Sequence, residues 1–452
     1  MANSTEKRII AHNKDAQNRK LVADYNRKSL MEKYGVARSE PAHSAFLANL
    51  LLGSGIQCAT GEKPLMWLLN ILIEREDNAT ACPANIPADV KRAVLTQTLQ
   101  YNIDEVTPEK KVKLVAPNYF QTNWPQAPAC EDALDIYIKF RVYNVSVDEI
   151  EIIIENKVLA SENGPKSMVV RQGYDDLFQT ERYYVACSST AAKRKVQIFA
   201  FLTPDEVGSE TTATDKHFIQ FSYQDVLDTI ITPLLDDDNL TPSLRIELEN
   251  YVNALNLPTL DVKNKRIVMA ITPKAKYDLQ NYLINNKELI KAVLSAVWKK
   301  EAGQQLTSEE ETLAGFAENK RNLFAALGAD FANISKTSFF VIITENGVPR
   351  IECLSSTDVA VRYAKLYLLY HPTTPVAQLN IDFSYVKGVQ NGKKLFTTSP
   401  TLKTTTNQSL YAKIAPNIWF ENDMWTTATN YWKKLLEFIA SNNTAEFTYE
   451  VC

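Results

Sequence analysis

Glycine is scarce in this 452-residue chain, at 13 residues, and neither a GxGxxG nor a GxxxxGK[ST] stretch occurs. The phosphate cradles of dinucleotide-binding and P-loop folds depend on such glycines, so those readings drop out at once. Histidine is scarcer still, at four, and the six cysteines (Cys58, Cys82, Cys130, Cys187, Cys353, Cys452) are scattered with no CxxC pair. A structural zinc site draws on close pairs of such ligands, so none is expected, and the thiols read as reduced packing side chains. Apolar runs such as Ala45 to Ala48, Leu65 to Leu69 and Phe339 to Ile343 fall far short of the roughly 20 residues a membrane helix needs. The N-terminal residues lack the apolar core of a signal peptide. The expectation is a soluble, cytoplasmic protein without a membrane partner.

An excess of charge of one sign is also lacking. With 49 basic against 53 acidic side chains, a net −4, no global positive field would draw the protein onto nucleic acid. A polyanion would need a local patch. The first 39 residues offer one, with nine Lys or Arg against Glu6, Asp15, Asp24 and Glu32. That segment reads either as a solvated helix face or as a phosphate-contacting arm.

What is present is an ordinary globular composition, 45% apolar and 23% charged, at a length that suits roughly two to four domains. Residues 9 to 34 read as a polar helix, and Ala45 to Leu52 and Met66 to Ile73 as buried helices around a Gly53-Ser54-Gly55 turn. A proline-rich stretch (Pro83, Pro87, Pro108, Pro117, Pro125, Pro128) reads as irregular. Strands follow at Leu134 to Tyr143 and Glu149 to Leu159, a helix near Asp175 to Val185, and a strand at Val196 to Leu202. This order predicts an α/β fold with a mixed central sheet flanked by helices. Thr241-Pro242 opens one further helix, and Asp278 to Val297 forms another that ends near Gly303.

Beyond it, Thr307-x-x-Glu310 is a capping box, and Phe339 to Ile343 with Val348 to Cys353 flank Asn346-Gly347 as a hairpin. Strands are expected near 379 to 387 and 394 to 398. The stripe Trp425, Trp432, Leu435, Leu436, Ile439 marks a final core-facing helix. Three regions result: a basic arm over 1–35, a main domain over 36–303, and an α+β accessory domain over 304–452.

Side chains alternate faces along a strand, so Glu155 and Lys157 share one face while Ile154, Asn156 and Val158 share the other. Burying a charge beside an apolar run calls for an ion pair or a metal. A surface salt bridge is the plain reading, and Glu-Asn-Lys recurs at Glu318-Asn319-Lys320 while Glu-x-Lys recurs at Glu109-Lys110-Lys111. The copy at 155 differs because an apolar strand precedes it and an upstream strand carries a second carboxylate, Asp135. Asp236-Asp237-Asp238 resembles a metal cluster but sits before the Thr241-Pro242 helix start, where acidic residues are structural.

These elements resemble the PD-(D/E)xK nuclease superfamily, in particular its restriction-endonuclease-like subgroup of uncharacterised bacterial nucleases. Glu40 to Leu51 looks like the first helix with its acidic residue, Leu134-Asp135-Ile136 like the metal-binding aspartate strand, and Ile153-Ile154-Glu155-Asn156-Lys157 like the (D/E)xK strand. Gln179-Thr180-Glu181-Arg182-Tyr183 is similar to the QxxxY of the next helix, although Gln172 with Tyr174 competes for that glutamine. Phe201-Leu202-Thr203-Pro204 and Phe221-Ser222-Tyr223 look like the later strand and helix start. The likeness spans about residues 36 to 300. Leu134 stands where the superfamily's name has proline, and His43 reads as a surface or packing histidine.

The resemblance implies a metal-dependent nuclease with Glu40, Asp135, Glu155, Lys157 and Gln179 as site residues. Oxygen donors from Asp135, Glu155, Glu40 and the backbone carbonyl of Asn156 suit Mg²⁺, with Mn²⁺ able to substitute. Lys157 would act as a base only if its surroundings lowered its pKa from about 10.4. An electrostatic role needs no such change. DNA rather than RNA is the expected substrate, in restriction or defence against invading genomes, with a homodimer or partner subunit compatible. The alternative is a non-catalytic or partner-activated binding module that keeps the nuclease fold.

Overall fold

A computed structural model describes residues 4–53, 64–79, 82–83, 85–114, 130–158, 177–188, 194–204, 212–260, 266–329, 331, 338–386, 395–398, 411–415, 417–421, 430–444 and 446–452. The chain forms two compact units, Lys28–Ala275 and Met1–Arg27 with Lys276–Cys452. These divisions differ from the expected boundary near 303 and the separate arm ending at 35. The reason is burial. In place of one helix over 9–34, α1 (Ser4–Lys14) and α2 (Ala16–Asn26) are docked elements, and His12 shares a 2.8 Å hydrogen bond with the Tyr282 hydroxyl. On the long helix Pro273–Glu301, Trp298 donates to the Ser338 carbonyl at 2.7 Å and stacks on Phe339, tying that helix to the residues after it.

The unit Lys28–Ala275 begins with the single turn α3 (Leu30–Lys33) and helices α4 (Glu40–Leu52), α5 (Pro64–Asn78) and α6 (Ala88–Leu95). Strands β1 (Tyr101–Leu114), β2 (Cys130–Val142) and β3 (Glu149–Asn156) follow, then α7 (Gln179–Ser188), β4 (Lys195–Thr203) and β5 (Phe218–Ser222). They build one five-stranded sheet in the order β1-β2-β3-β4-β5. The first three strands pair antiparallel, and β3-β4 and β4-β5 pair parallel, so the sheet is mixed. The chain closes this unit with α8 (Tyr223–Val226), a π-helical turn Leu227–Ile231, α9 (Thr232–Asp236), α10 (Pro242–Asn256) and the two-residue strands β6 (Thr259–Leu260) and β7 (Arg266–Ile267).

Strand alternation explains the layers. Ile150, Ile152 and Ile154 enter the main core with Leu47, Leu51, Leu68 and Leu72 of α4 and α5, while Ile153 enters a second cluster with Tyr183 of α7. Hence β3 is buried on both faces, with isoleucines entering a cluster on each.

The stretch expected to be irregular holds α6 and the long strand β1. Pro87 caps α6, and Pro108 is tolerated in β1 because that strand is the sheet's edge, where a missing N–H breaks no inner ladder. Pro117, Pro125, Pro128, Ser54 and Gly55 lie outside the described residues.

In the other unit, α11 (Pro273–Glu301), the capping-box helix α12 (Ser308–Glu318) and α13 (Arg321–Ala326) precede β8 (Ser338–Glu345) and β9 (Val348–Ser355). Asn346 and Gly347, at φ 50° and 78°, make the hairpin turn. Helices α14 (Ser356–Tyr370) and α15 (Val376–Asp382) follow, then β10 (Phe396–Thr397), β11 (Tyr411–Ala415), β12 (Ile418–Glu421), α16 (Asn430–Ser441) and β13 (Phe447–Val451). Two three-stranded sheets result, β13-β8-β9 and β10-β12-β11.

The strand expected near 379–387 is instead α15 with a 3₁₀ turn, Phe383–Tyr385. Leu379, Phe383 and Val386 recur at helical spacing and are all buried. Trp432, Leu435 and Ile439 of α16 are core residues, as their spacing predicts, while Trp425 lies outside the described residues. Among the described residues no helix is long and apolar enough to cross a membrane.

Ile152, wholly buried in the central strand, should carry far more stability than Ile246, which is exposed on α10. Urea titration is expected to show a loss of about 2–5 kcal/mol for Ile152→Ala. Ile246→Ala is expected to stay within about 0.5 kcal/mol of the wild type. Equal losses would contradict the layering.

Candidate active site

Ile136 of β2 pairs with Ile154 of β3, so one step further along the same register Asp135 stands opposite Glu155. Residues opposed on antiparallel strands point to the same face. Both carboxylates are buried, at 7% and 0% exposure. The Asn156 N–H donates to Asp135 Oδ2 at 2.6 Å, and the Lys157 N–H extends the ladder to the Leu202 carbonyl at 2.9 Å. Lys157 Nζ is ion-paired with Glu155 Oε1 and lies 3.5 Å from Glu40 Oε2. Glu40 opens α4, whose cap Ser39 accepts from the Ala42 N–H at 3.3 Å, and the helix N-terminus favours its charge. Glu40, Asp135, Glu155 and Lys157 therefore come together at one end of the sheet.

The opposite face holds this strand end in place. The Asn156 amide donates to Ser44 Oγ at 3.1 Å and its carbonyl accepts from the Tyr223 hydroxyl at 2.8 Å. Beside them His43 shares a 3.0 Å hydrogen bond with the Tyr251 hydroxyl, lies 3.3 Å from the Ala37 carbonyl and meets Tyr223 edge-on. His43 is a packing histidine, and burial pushes its pKa down to about 4.

Gln179 reaches the site's margin through a neighbour: its amide donates to the Tyr183 hydroxyl at 2.8 Å, which donates to the Ala133 carbonyl at 2.7 Å. The four-residue spacing thus joins the two polar groups as expected. Gln172 and Tyr174 lie outside the described residues.

Glu151, four residues before Glu155 on the same face of β3, provides an internal comparison for it. Glu151 is almost fully buried, yet it accepts from the Tyr137 hydroxyl at 2.5 Å and Gln197 Nε2 at 2.9 Å and pairs with Lys195 Nζ at 2.8 Å. Burial would raise its pKa, but these partners outweigh burial and hold it below the usual value. Glu155 is met by Lys157 at Oε1, and among the described residues no donor reaches Oε2. Burial first, and the facing Asp135 second, push its pKa well up. Asp135 is pushed up to about 7, chiefly by burial, against the pull of the Asn156 N–H and Lys157.

Burial alone would lower the Lys157 pKa, but Glu155, Glu40 and Asp135 outweigh it and hold the amine above its ordinary value. A base role requires a lowered pKa, and the shift here is upward. Several carboxylates share one ammonium, a donor set with room for more positive charge. Among the described residues no three His, Cys, Asp or Glu side chains stand close enough to enclose an ion.

Sequence reading missed Glu109. Pro108 pairs with Ile136 and Lys110 with Leu134, so Glu109 on β1 is bracketed against Asp135. Its φ is 53°, a left-handed conformation for a non-glycine residue inside a strand. Burial and the Glu40 charge raise its pKa while Lys157 lowers it, although the residue itself is exposed. No sequence signal marks it, since Glu109-Lys110-Lys111 looks like ordinary edge-strand polarity. The Asp236-Asp237-Asp238 run is structural: Asp237 Oδ1 accepts from the Asn239 N–H at 2.8 Å and the Asp237 carbonyl accepts from Arg245 at 2.9 Å.

Compared with known proteins, the chain matches no protein-family model, no curated protein and no solved structure.

The His43 environment gives a pH prediction. An unfolded histidine titrates near 6.5, so its contribution to stability is fully present above that pH and is lost as pH falls toward 4. The loss reaches about 3 kcal/mol. Asp135 works in the opposite sense over an overlapping window, so the difference between wild type and His43→Gln isolates the histidine. Denaturant titrations should show that difference shrinking between pH 6.5 and 4; a constant difference would contradict the assignment.

Proposed function

We propose that the unit Lys28–Ala275 is a divalent-metal-dependent phosphodiesterase on a restriction-endonuclease-like core, cleaving nucleic acid, with DNA rather than RNA as substrate. One observation carries the reading: Asp135 faces Glu155 across β2 and β3, with Lys157 held between Glu155 and Glu40. The element order supports it, with an acidic first helix, the aspartate strand, the Glu-x-Lys strand and then α7 and β4. The resemblance connects such enzymes with restriction and defence against invading genomes.

The donors fit Mg²⁺ or Mn²⁺, since all are oxygens and the buried Glu155 Oε2 has no partner among the described residues. Asp135, Glu155 and the backbone carbonyl of Asn156 would hold the ion, with Glu40 beside them. When bound, the ion supplies Lewis-acid polarisation of the phosphodiester and acidifies water. Lys157 keeps its proton and places positive charge against the phosphoryl oxygens as negative charge grows there. The N–H of Asn156 fixes the Asp135 carboxylate, and the Ser44 and Tyr223 hydrogen bonds to the Asn156 side chain fix the strand end.

A second reading is a nucleic-acid or protein-binding module, non-catalytic or activated by a partner subunit or a second copy. It is favoured by Lys157 itself, whose amine bridges Glu155 and Glu40.

Plasmid cleavage with Mg²⁺ or Mn²⁺ separates the two. Asp135→Asn and Lys157→Ala are each expected to lose at least about 100-fold in rate. Equal cleavage by wild type and both variants would mean a contaminating nuclease. Metal-independent, salt-sensitive DNA retention that ignores Asp135→Asn would instead favour the binding module.

A further inference from the structure

We propose that Glu109 is a positioning residue of this site, an outer carboxylate that acts through Asp135 and Glu40 to set how tightly the cation is held. The inference rests on the metal-dependent reading of the site and goes beyond its residue set. Three observations support it. The β1-β2 register places Glu109 against Asp135 from the side opposite Glu155, so Asp135 lies between two acids on neighbouring strands. The charges of Glu40 and Lys157 both act on Glu109, whose strand position lies at the same end of the sheet. Its backbone is left-handed at φ 53°, which a side chain with a Cβ adopts at a cost.

The other non-glycine residues with positive φ among the described residues, Gln97, Arg194, Asn346 and Asn417, lie at turns, whereas Glu109 lies within a strand. Strained backbone persists where something other than stability selects it, and glycine would relieve it at this position. Glu105, on the same strand, shows the ordinary alternative: it pairs with Lys110 Nζ at 2.6 Å and has no part in the site.

The test reads metal affinity rather than turnover, by Mn²⁺ electron paramagnetic resonance titration of the full chain without nucleic acid. Glu109→Gln and Glu109→Gly are each expected to weaken Mn²⁺ binding about 10-fold, the scale of an outer-shell partner. Glu105→Gln, which removes the same charge from the same strand, should leave it unchanged. Glu109→Gly should also keep or raise the melting temperature, so weaker binding could not be attributed to poor folding. Binding that is abolished by Asp135→Asn yet unchanged by Glu109→Gln would overturn the role of Glu109 and leave the site intact. No saturable binding by the wild type would overturn both.

Discussion

The register that sets Ile136 opposite Ile154 also sets Asp135 opposite Glu155, and the rest of the site depends on it. A slip of one residue would turn the isoleucines of β3 from one face to the other and carry Glu155 and Lys157 away from Asp135. Burial prevents the slip, because β3 is covered on both faces and each face has its own cluster of side chains. Core packing and carboxylate placement are consequences of one pairing. The polar network on the far face, Asn156 with Ser44 and Tyr223, pins the same strand end from the α4 side.

Within that frame β3 carries two buried glutamates of contrasting character. Glu151 is surrounded by donors and a lysine that satisfy its charge. Glu155 faces another acid, and among the described residues Lys157 alone meets its Oε1 while nothing reaches Oε2. A buried carboxylate without sufficient partners is destabilising, and such departures from local consistency concentrate where a ligand is bound. Lys157 offsets part of the charge, and the carboxylates raise its pKa in return. The arrangement suits an electrostatic role for the amine and leaves proton transfer to other groups.

The sequence made much of this legible, and for identifiable reasons. β2, β3 and β4 are rich in buried apolar residues, such as Ile152-Ile153-Ile154, because the strands are interior, and α4 and α10 begin at Ser39 and Thr241 with proline inside the first turn. Period-two alternation separated Glu155 and Lys157 from Asn156 and the preceding strand supplied Asp135, while the resemblance brought in Glu40. β1 was illegible because an exposed edge strand needs neither apolar alternation nor freedom from proline. Glu109 was illegible with it, since its placement comes from the pairing of β1 and a left-handed φ that no residue type announces. The helix over 376–382 was hidden by the β-branched and aromatic residues around it, although Leu379 and Phe383 keep a helical period. The docking of the N-terminal helices was equally unreadable, because their exposed charges mask a few inward contacts such as His12 on Tyr282.

The most direct measurement of the central claim is anomalous diffraction at the manganese edge from crystals grown with Mn²⁺. The account predicts a peak bonded to carboxylate oxygens of both Asp135 and Glu155, with the Lys157 amine beside it. A peak elsewhere, or none while Glu155 remains paired only with Lys157, would contradict it.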